Sequence, residues 1–167
     1  MGAHRRMNGI PDHLASVVAA VEAVCSDLDA TSAFRPFGPQ RWIRDVTALW
    51  GDGIQHVALL LDADAPLLAV YVTLELPEPS RHVDSLAKAA ARANYGLLPG
   101  CFEIDVETGE TRYRSALYQF SETLGTREVA QLVSEALMMT KTYAPAFQKI
   151  VTSNADPVEA VAEIESA

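Results

Sequence analysis

Residues 100–118 read GCFEIDVETGETRYRSALY. On one side of Thr108-Gly109, Phe102, Ile104 and Val106 alternate with Glu103, Asp105 and Glu107. On the other, Thr111, Tyr113 and Ser115 alternate with Arg112 and Arg114. Period-two alternation on both sides of a glycine turn predicts a β-hairpin with one apolar and one ionic face. A two-residue loop at Thr108-Gly109, or a four-residue loop over 107–110, pairs Val106 with Thr111 and Asp105 with Arg112. It also pairs Ile104 with Tyr113 and Glu103 with Arg114. A three-residue loop would set Ile104 against Arg112 and cost either a buried charge or lost apolar burial, so the first register is expected. In that register each opposite-charge pair adds roughly 0.2–1 kcal/mol. The acidic and basic rows then act as a register device on a solvated face, and Arg112 and Arg114 are also candidate contacts for a partner.

Upstream, residues 54–61 and 67–76 are rich in β-formers and separated by DADAP. In the second run Val70, Val72, Leu74 and Leu76 share one face, with Tyr71, Thr73 and Glu75 on the other. Residues 42–50 suit either a helix or a strand; Asp52-Gly53 after them is a hairpin signal and favours the strand. Residues 32–41 hold two prolines and a glycine and read as a loop.

Four helices complete the pattern. Pro11 opens the first over 11–29, whose apolar stripe is Leu14, Val17, Val18, Val21, Val24, Cys25 and Leu28. Ser80 is read as the cap of the second, with Asp84 in its first turn, a buried stripe of Val83, Leu86, Ala87, Ala90 and Ala93, and Gly96 as a left-handed stop. Thr126 is read as the cap of a helix whose stripe runs from Val129 to Val151, with a kink or break expected at Pro145. In DPVE at 156–159, Asp156 caps, Pro157 takes the first position and Glu159 closes a capping box. The expected fold is α+β, with the order α-β-β-β-α-β-β-α-α and an antiparallel sheet packed against helices. Residues 1–10 read as a flexible N-terminus and 11–167 as a single domain.

Composition narrows the function classes. The chain has 167 residues, 49% of them hydrophobic, which is enough for one substantial core. A net charge of −9 repels phosphate backbones, so nucleic acid is not an expected partner. Asp62, Asp64 and Pro66 interrupt the longest apolar run, and residues 1–13 contain no apolar run, so neither a membrane span nor a signal peptide is expected. The reading is a cytoplasmic protein. Cys25 and Cys101 are too few for a disulfide scaffold.

No reactive constellation stands out. The four histidines lack metal-ligand spacing, and Gly51-x-Gly53 lacks the rest of a phosphate loop. Asp62-Ala63-Asp64 resembles a cation-binding string but suits a turn before proline. Cys101 has no helix N-terminus or nearby histidine to activate it. No catalytic residue, cofactor or metal is therefore assigned. Trp42 and Trp50 read as anchors of a core edge, and Met138-Met139 as core filling towards the flank of the long helix. Trp42, Met138 and Met139 join Arg112 and Arg114 as the candidate partner-binding set, because methionines form adaptable docking surfaces. An exposed strand edge is a further docking candidate.

ARANYGLLPGCFEIDVETGETRYRSAL, a long helix ending TYAPAFQKIV, and DPVEAVAEIE together resemble the YbjN-like family of bacterial sensory transduction regulators. The resemblance rests on Asn94, Gly100, Phe102, Glu103, Asp105, Gly109, Arg112, Tyr113, Arg114, Tyr143, Pro145, Ala146, Pro157 and Ala160, and covers residues 90–165. The long first helix and Thr111, where an aliphatic residue is expected, depart from it. The resemblance implies a fold similar to type III secretion chaperones, a homodimer, and a non-enzymatic protein-binding role. It implies a chaperone-like or regulatory protein of bacterial signalling or stress response, holding a polypeptide partner, with no catalytic residues. The alternative is a small-molecule sensor with a pocket between sheet and long helix, lined by Tyr113, Tyr143 and Trp50.

Overall fold

In the computed structural model, residues 9–28, 32–46, 51, 53–65, 67–118 and 124–167 are described. The β-branched and aliphatic run of Leu67–Leu74 forms β4, the strand on which the sheet is centred. It pairs on one side with β3 (Ile54–Asp62) and on the other with β6 (Thr111–Tyr118). β2 (Arg41–Val46) lies outside β3, and β5 (Gly100–Ile104) outside β6. A two-residue strand, β1 (Arg35–Pro36), edges β2. All pairings are antiparallel, in the order β1-β2-β3-β4-β6-β5.

The fold class, α+β with an antiparallel sheet packed against helices, is as expected, with one added strand. Arg35 and Pro36 lie in the stretch read as a loop, yet they pair with Ile43 and Trp42. Proline is tolerated there because it sits on a sheet edge. Residues 41–46 are strand, as the hairpin signal favoured; Trp50 and Asp52 lie outside the described residues.

The hairpin register differs from expectation by two residues. Ile104 pairs with Thr111, Glu103 with Arg112, Phe102 with Tyr113 and Cys101 with Arg114. The cause is Asp105, which leaves the strand to build the turn. Its carboxylate accepts from the Glu107 and Thr108 amides at 2.8 and 3.1 Å. Its backbone N–H donates to Glu110 O and its carbonyl accepts from Gly109 N–H, at 2.9 and 2.8 Å. The loop is thus six residues long, and Val106, expected in the strand, is 75% exposed. A two-residue slip preserves the faces, so the apolar row still points to the core and the ionic row away from it. Gly109, at φ +75°, packs on the Pro79 carbonyl, where a Cβ would also lie 2.8 Å from Ser80 N.

That contact explains a second correction. Pro79–Arg81 is held as a 3-10 turn against the hairpin, so Ser80 caps nothing and α2 (Val83–Asn94) starts after His82. Its buried stripe is Leu86, Ala89, Ala90 and Ala93, with Ala87 exposed. Gly96 is not left-handed; it and Leu97 instead donate back to the Ala93 and Asn94 carbonyls at 3.4 and 3.3 Å, closing the helix in a 3-10 manner.

The other helices follow their patterns more closely. α1 (Ala15–Asp27) continues a 3-10 turn at Asp12–Leu14 and buries Leu14, Val17, Val18, Val21, Val24 and Cys25. Ile10, in the segment read as flexible, packs against the core; residues 1–8 lie outside the described residues. α3 (Thr126–Ser153) is capped at Gly125, whose amide donates to Glu128 at 3.1 Å, so Thr126 is already inside the helix. It runs through Pro145 without a break. α4 (Pro157–Glu165) is capped by Asp156, which accepts from Val158 N–H and Glu159 N–H.

The helices gather on one side of the sheet. α3 lies on β4 and β6, α1 runs beside α3, and α4 bridges α3 to α2 at the β5 edge. Between sheet and α3, the Phe102 ring stands 5.1 Å from Tyr113, 5.4 Å from Tyr143 and 4.9 Å from Phe147. Ion pairs Lys149–Glu163 (2.6 Å) and Arg92–Glu165 pin α4 to α3 and α2. Asn94, the last residue of α2, closes the outer edge of β5. Its side-chain amide donates to Phe102 O at 2.9 Å and accepts from Phe102 N–H at 2.7 Å, as a neighbouring strand would. Asn94→Ala should strip both bonds, lower stability by about 1–3 kcal/mol in urea unfolding, and speed amide exchange at Phe102. Unchanged exchange there would contradict the assignment.

Candidate functional site

Cross-strand register sorts the strand residues into two faces. The helix side carries Trp42, Val46, Val57, Leu59, Val70, Val72, Tyr113 and Phe102. The other side has no described helix over it. One row there runs Ile43, Leu60, Ala69, Ala116; the next runs Asp45, Ala58, Tyr71, Arg114, Cys101. Beyond them lie His56, Thr73, Arg112 and Glu103 at one end, and Arg41, Asp62, Leu67 and Tyr118 at the other. Ile43, Leu60, Leu67, Tyr71 and Ala116 are half-buried and stand outside the hydrophobic core of the helix side.

Charges on this open face are already paired. Glu103 accepts from Arg112 Nε at 3.0 Å and Arg114 Nε at 2.5 Å. The Arg112 guanidinium also lies 4.5 Å over the Tyr71 ring, a cation–π contact. Arg114 Nη2 reaches Cys101 Sγ at 3.5 Å. At the opposite corner, Asp45 meets Arg35 and His56, each at 3.0 Å. Asp62 accepts from Arg41 at 2.6 Å and from the Asp64 and Ala65 amides at 3.0 and 3.1 Å. The residues read as a possible cation string thus build a turn. Among the described residues no group of three His, Cys, Asp or Glu side chains could hold a metal ion.

Burial raises the Glu103 carboxyl's pKa, but the hydrogen bonds from Arg114 and then Arg112 outweigh it and hold it below the ordinary value of 4.5. Asp45 and Asp62 are likewise held below the ordinary 3.8, against their burial, by their own partners. On the helix side, burial and a 2.7 Å bond donated to Glu135 push the Tyr113 phenol well up. Glu135 Oε2 also lies 2.8 Å from Ser115 Oγ, so one α3 carboxylate ties two β6 hydroxyls. Gly100 is required beneath this tie, since a Cβ would sit 2.6 Å from Tyr113 Oη.

The five candidate docking residues do not form one patch. Arg112 and Arg114 share the open face. Trp42 is 6% exposed in the core and cannot dock a partner. Met138 is 55% exposed on α3, on the helix side, while Met139 is half-buried against the core. Tyr113 and Tyr143 are packed against Phe102 rather than lining an open pocket; Trp50 lies outside the described residues. Asn94 occupies part of the outer edge of β5, and β2 is flanked by β1 and by a Ser32 hydroxyl donating to Asp45 O. Sequence reasoning missed the open face as a unit. Its signal was the second period-two set, Tyr71, Ala69 and Leu67 beside Leu60 and Ala58, which needs the strand order before it becomes a surface.

No helix among the described residues is long and apolar enough to cross a membrane. No model of a known family matches the chain, and no curated protein matches it.

Glu103 carries a testable pH dependence. The unfolded carboxyl takes up a proton near 4.5 and the folded one only at lower pH. Its contribution is therefore complete above 4.5 and drains away as the solution is acidified through the folded value. Glu103→Gln should lower stability by about 1 kcal/mol at neutral pH and flatten the acid limb of a stability-against-pH curve. An acid limb identical to the wild type's would show that the shared carboxylate contributes nothing.

Proposed function

We propose that this chain is a non-enzymatic protein-binding module: a YbjN-like, chaperone-like or regulatory protein acting in the cytoplasm in bacterial signalling or stress response. The supporting observation is the open sheet face, an apolar centre bordered by guanidiniums and carboxylates that already satisfy one another. Burying such a face against a protein leaves no charge stranded, because Arg112, Arg114, Asp45 and Asp62 carry their partners with them. Half-buried Tyr, Leu and Ile amid arginines is the composition of a protein interface. The alternative of a ligand pocket between sheet and long helix has less support, since Phe102 and Phe147 fill that space.

The wild-type chain, immobilised and exposed to native bacterial lysate, should retain a polypeptide in stoichiometric amount. Leu60→Asp, which sets a charge in the centre of the face, should lose it, and Met138→Asp should keep it. Equal retention by wild type and Leu60→Asp would count against this face as the binding surface.

A further inference from the structure

A groove at one end of the sheet lies apart from the residues of the open face. Its walls come from three segments: Gly53, just ahead of β3; Glu75, Leu76 and Pro77, just past β4; and Gln148 and Thr152, near the end of α3. Local structure sets each wall. The Glu75 N–H donates to Gly53 O at 2.7 Å, which holds the first two segments side by side. Gly53, at φ +76°, lets the Gln148 amide nitrogen pack against its backbone, since a Cβ there would stand 2.3 Å from Nε2. Gln148 and Thr152 are four residues apart and so share one face of the helix. The groove encloses about 560 Å³, a volume within the ~300–1,000 Å³ of small-molecule sites. Neither Phe102 nor Phe147, which fill the space beneath α3, lines it.

The chemistry of these walls favours a cation. Glu75 is the one charged side chain among the six. Among the described residues, neither its exposed carboxylate nor the half-buried side-chain amide of Gln148 has a partner. Thr152 Oγ1 spends its hydrogen on Gln148 O at 2.8 Å, so towards the groove it is an acceptor. The carbonyl end of α3 adds partial negative charge, and no basic residue stands in its last turn to offset it. Lys149, just before that turn, is tied to Glu163 at 2.6 Å. Three acceptors, one of them anionic, suit a cation with several N–H donors, and a primary ammonium has three. A bare metal ion would find only one carboxylate. Leu76 and Pro77 offer an apolar wall to an alkyl chain.

We propose that this groove binds a primary alkylammonium group, with its charge on Glu75, its N–H groups shared with Gln148 Oε1 and Thr152 Oγ1, and its chain along Leu76 and Pro77. Such a group has two sources, a free small amine and a lysine side chain of a polypeptide. The site is separate from the open face and stands whether or not that face binds a protein.

Amide NMR of the ¹⁵N-labelled full chain, titrated with n-pentylamine at about pH 7, where the amine is charged, tests it. Saturable shifts should concentrate at Gly53, Glu75, Leu76, Gln148 and Thr152, with a dissociation constant in the millimolar range. Glu75→Gln should weaken binding about 10-fold or more, and Gln148→Leu about threefold. Glu110→Gln, which removes an exposed carboxylate elsewhere, should change nothing. Pentanol, the same chain without the charge, should bind at least ~10-fold more weakly than the amine. Glu75 is exposed, so its substitution leaves the core untouched, and circular dichroism checks the fold of each variant. Lysine acetylated at its α-amine and amidated at its carboxyl separates the sources: binding as tight as pentylamine's supports a lysine side chain, and much weaker binding supports a free amine. An absence of shifts at these amides, shifts spread over all surface carboxylates, equal binding of pentanol, or wild-type affinity in Glu75→Gln would each overturn the proposal.

Discussion

Period-two alternation along five neighbouring antiparallel strands, held in common register, sends one set of side chains under the helices and the other to the open side. Every other feature follows from keeping that register. Val57, Val70, Val72 and Tyr113 are wholly buried because their rows face α3. Glu103, Arg112 and Arg114 lie beyond the helices because theirs do not. A slip of one residue in β6 would exchange these sets there, burying Arg112 and Arg114 and exposing Tyr113.

Several devices defend the register at the β5–β6 end. Asp105 winds its own turn. Gly109 allows the loop to seat on Pro79, Gly100 allows the Tyr113 phenol to pass, and Asn94 occupies the outer hydrogen-bonding positions of Phe102. Glu135 reaches from α3 to Tyr113 and Ser115, joining the helix layer to the same strand pair. The paired charges on the open side serve the same end. They specify which strands sit together, and they leave a surface that can be covered without stranding a charge.

The consequence for function is a surface rather than a cleft. Asp62 is committed to a turn and an arginine, Cys101 to the guanidinium of Arg114, and Tyr113 to Glu135. These three groups, which could have been assigned chemistry on spacing alone, each have a structural partner within hydrogen-bonding distance.

Much of this was legible in the residues themselves. Helix stripes, the central strands, the α+β class and the hairpin's faces all follow from local periodicity, because a 3.6- or 2-residue repeat needs no knowledge of distant neighbours. Asp156 as a cap is equally local. The two-residue register error, the false Ser80 cap and the misjudged Gly96 have other causes. The register turned on Asp105 bonding to residues 107–110, and Gly96 on an i,i+3 closure of α2, local alternatives that periodicity does not rank. The Ser80 cap was lost to a distant contact, Gly109 on Pro79. Trp42 is buried in the core, as its reading as a core-edge anchor had it, so its second reading as a docking residue falls. The open face was beyond sequence. Leu60, Ala69 and Ala116 lie on three strands, and only the order β3-β4-β6 makes them neighbours, because hydrogen bonding between strands, not proximity along the chain, decides what shares a surface.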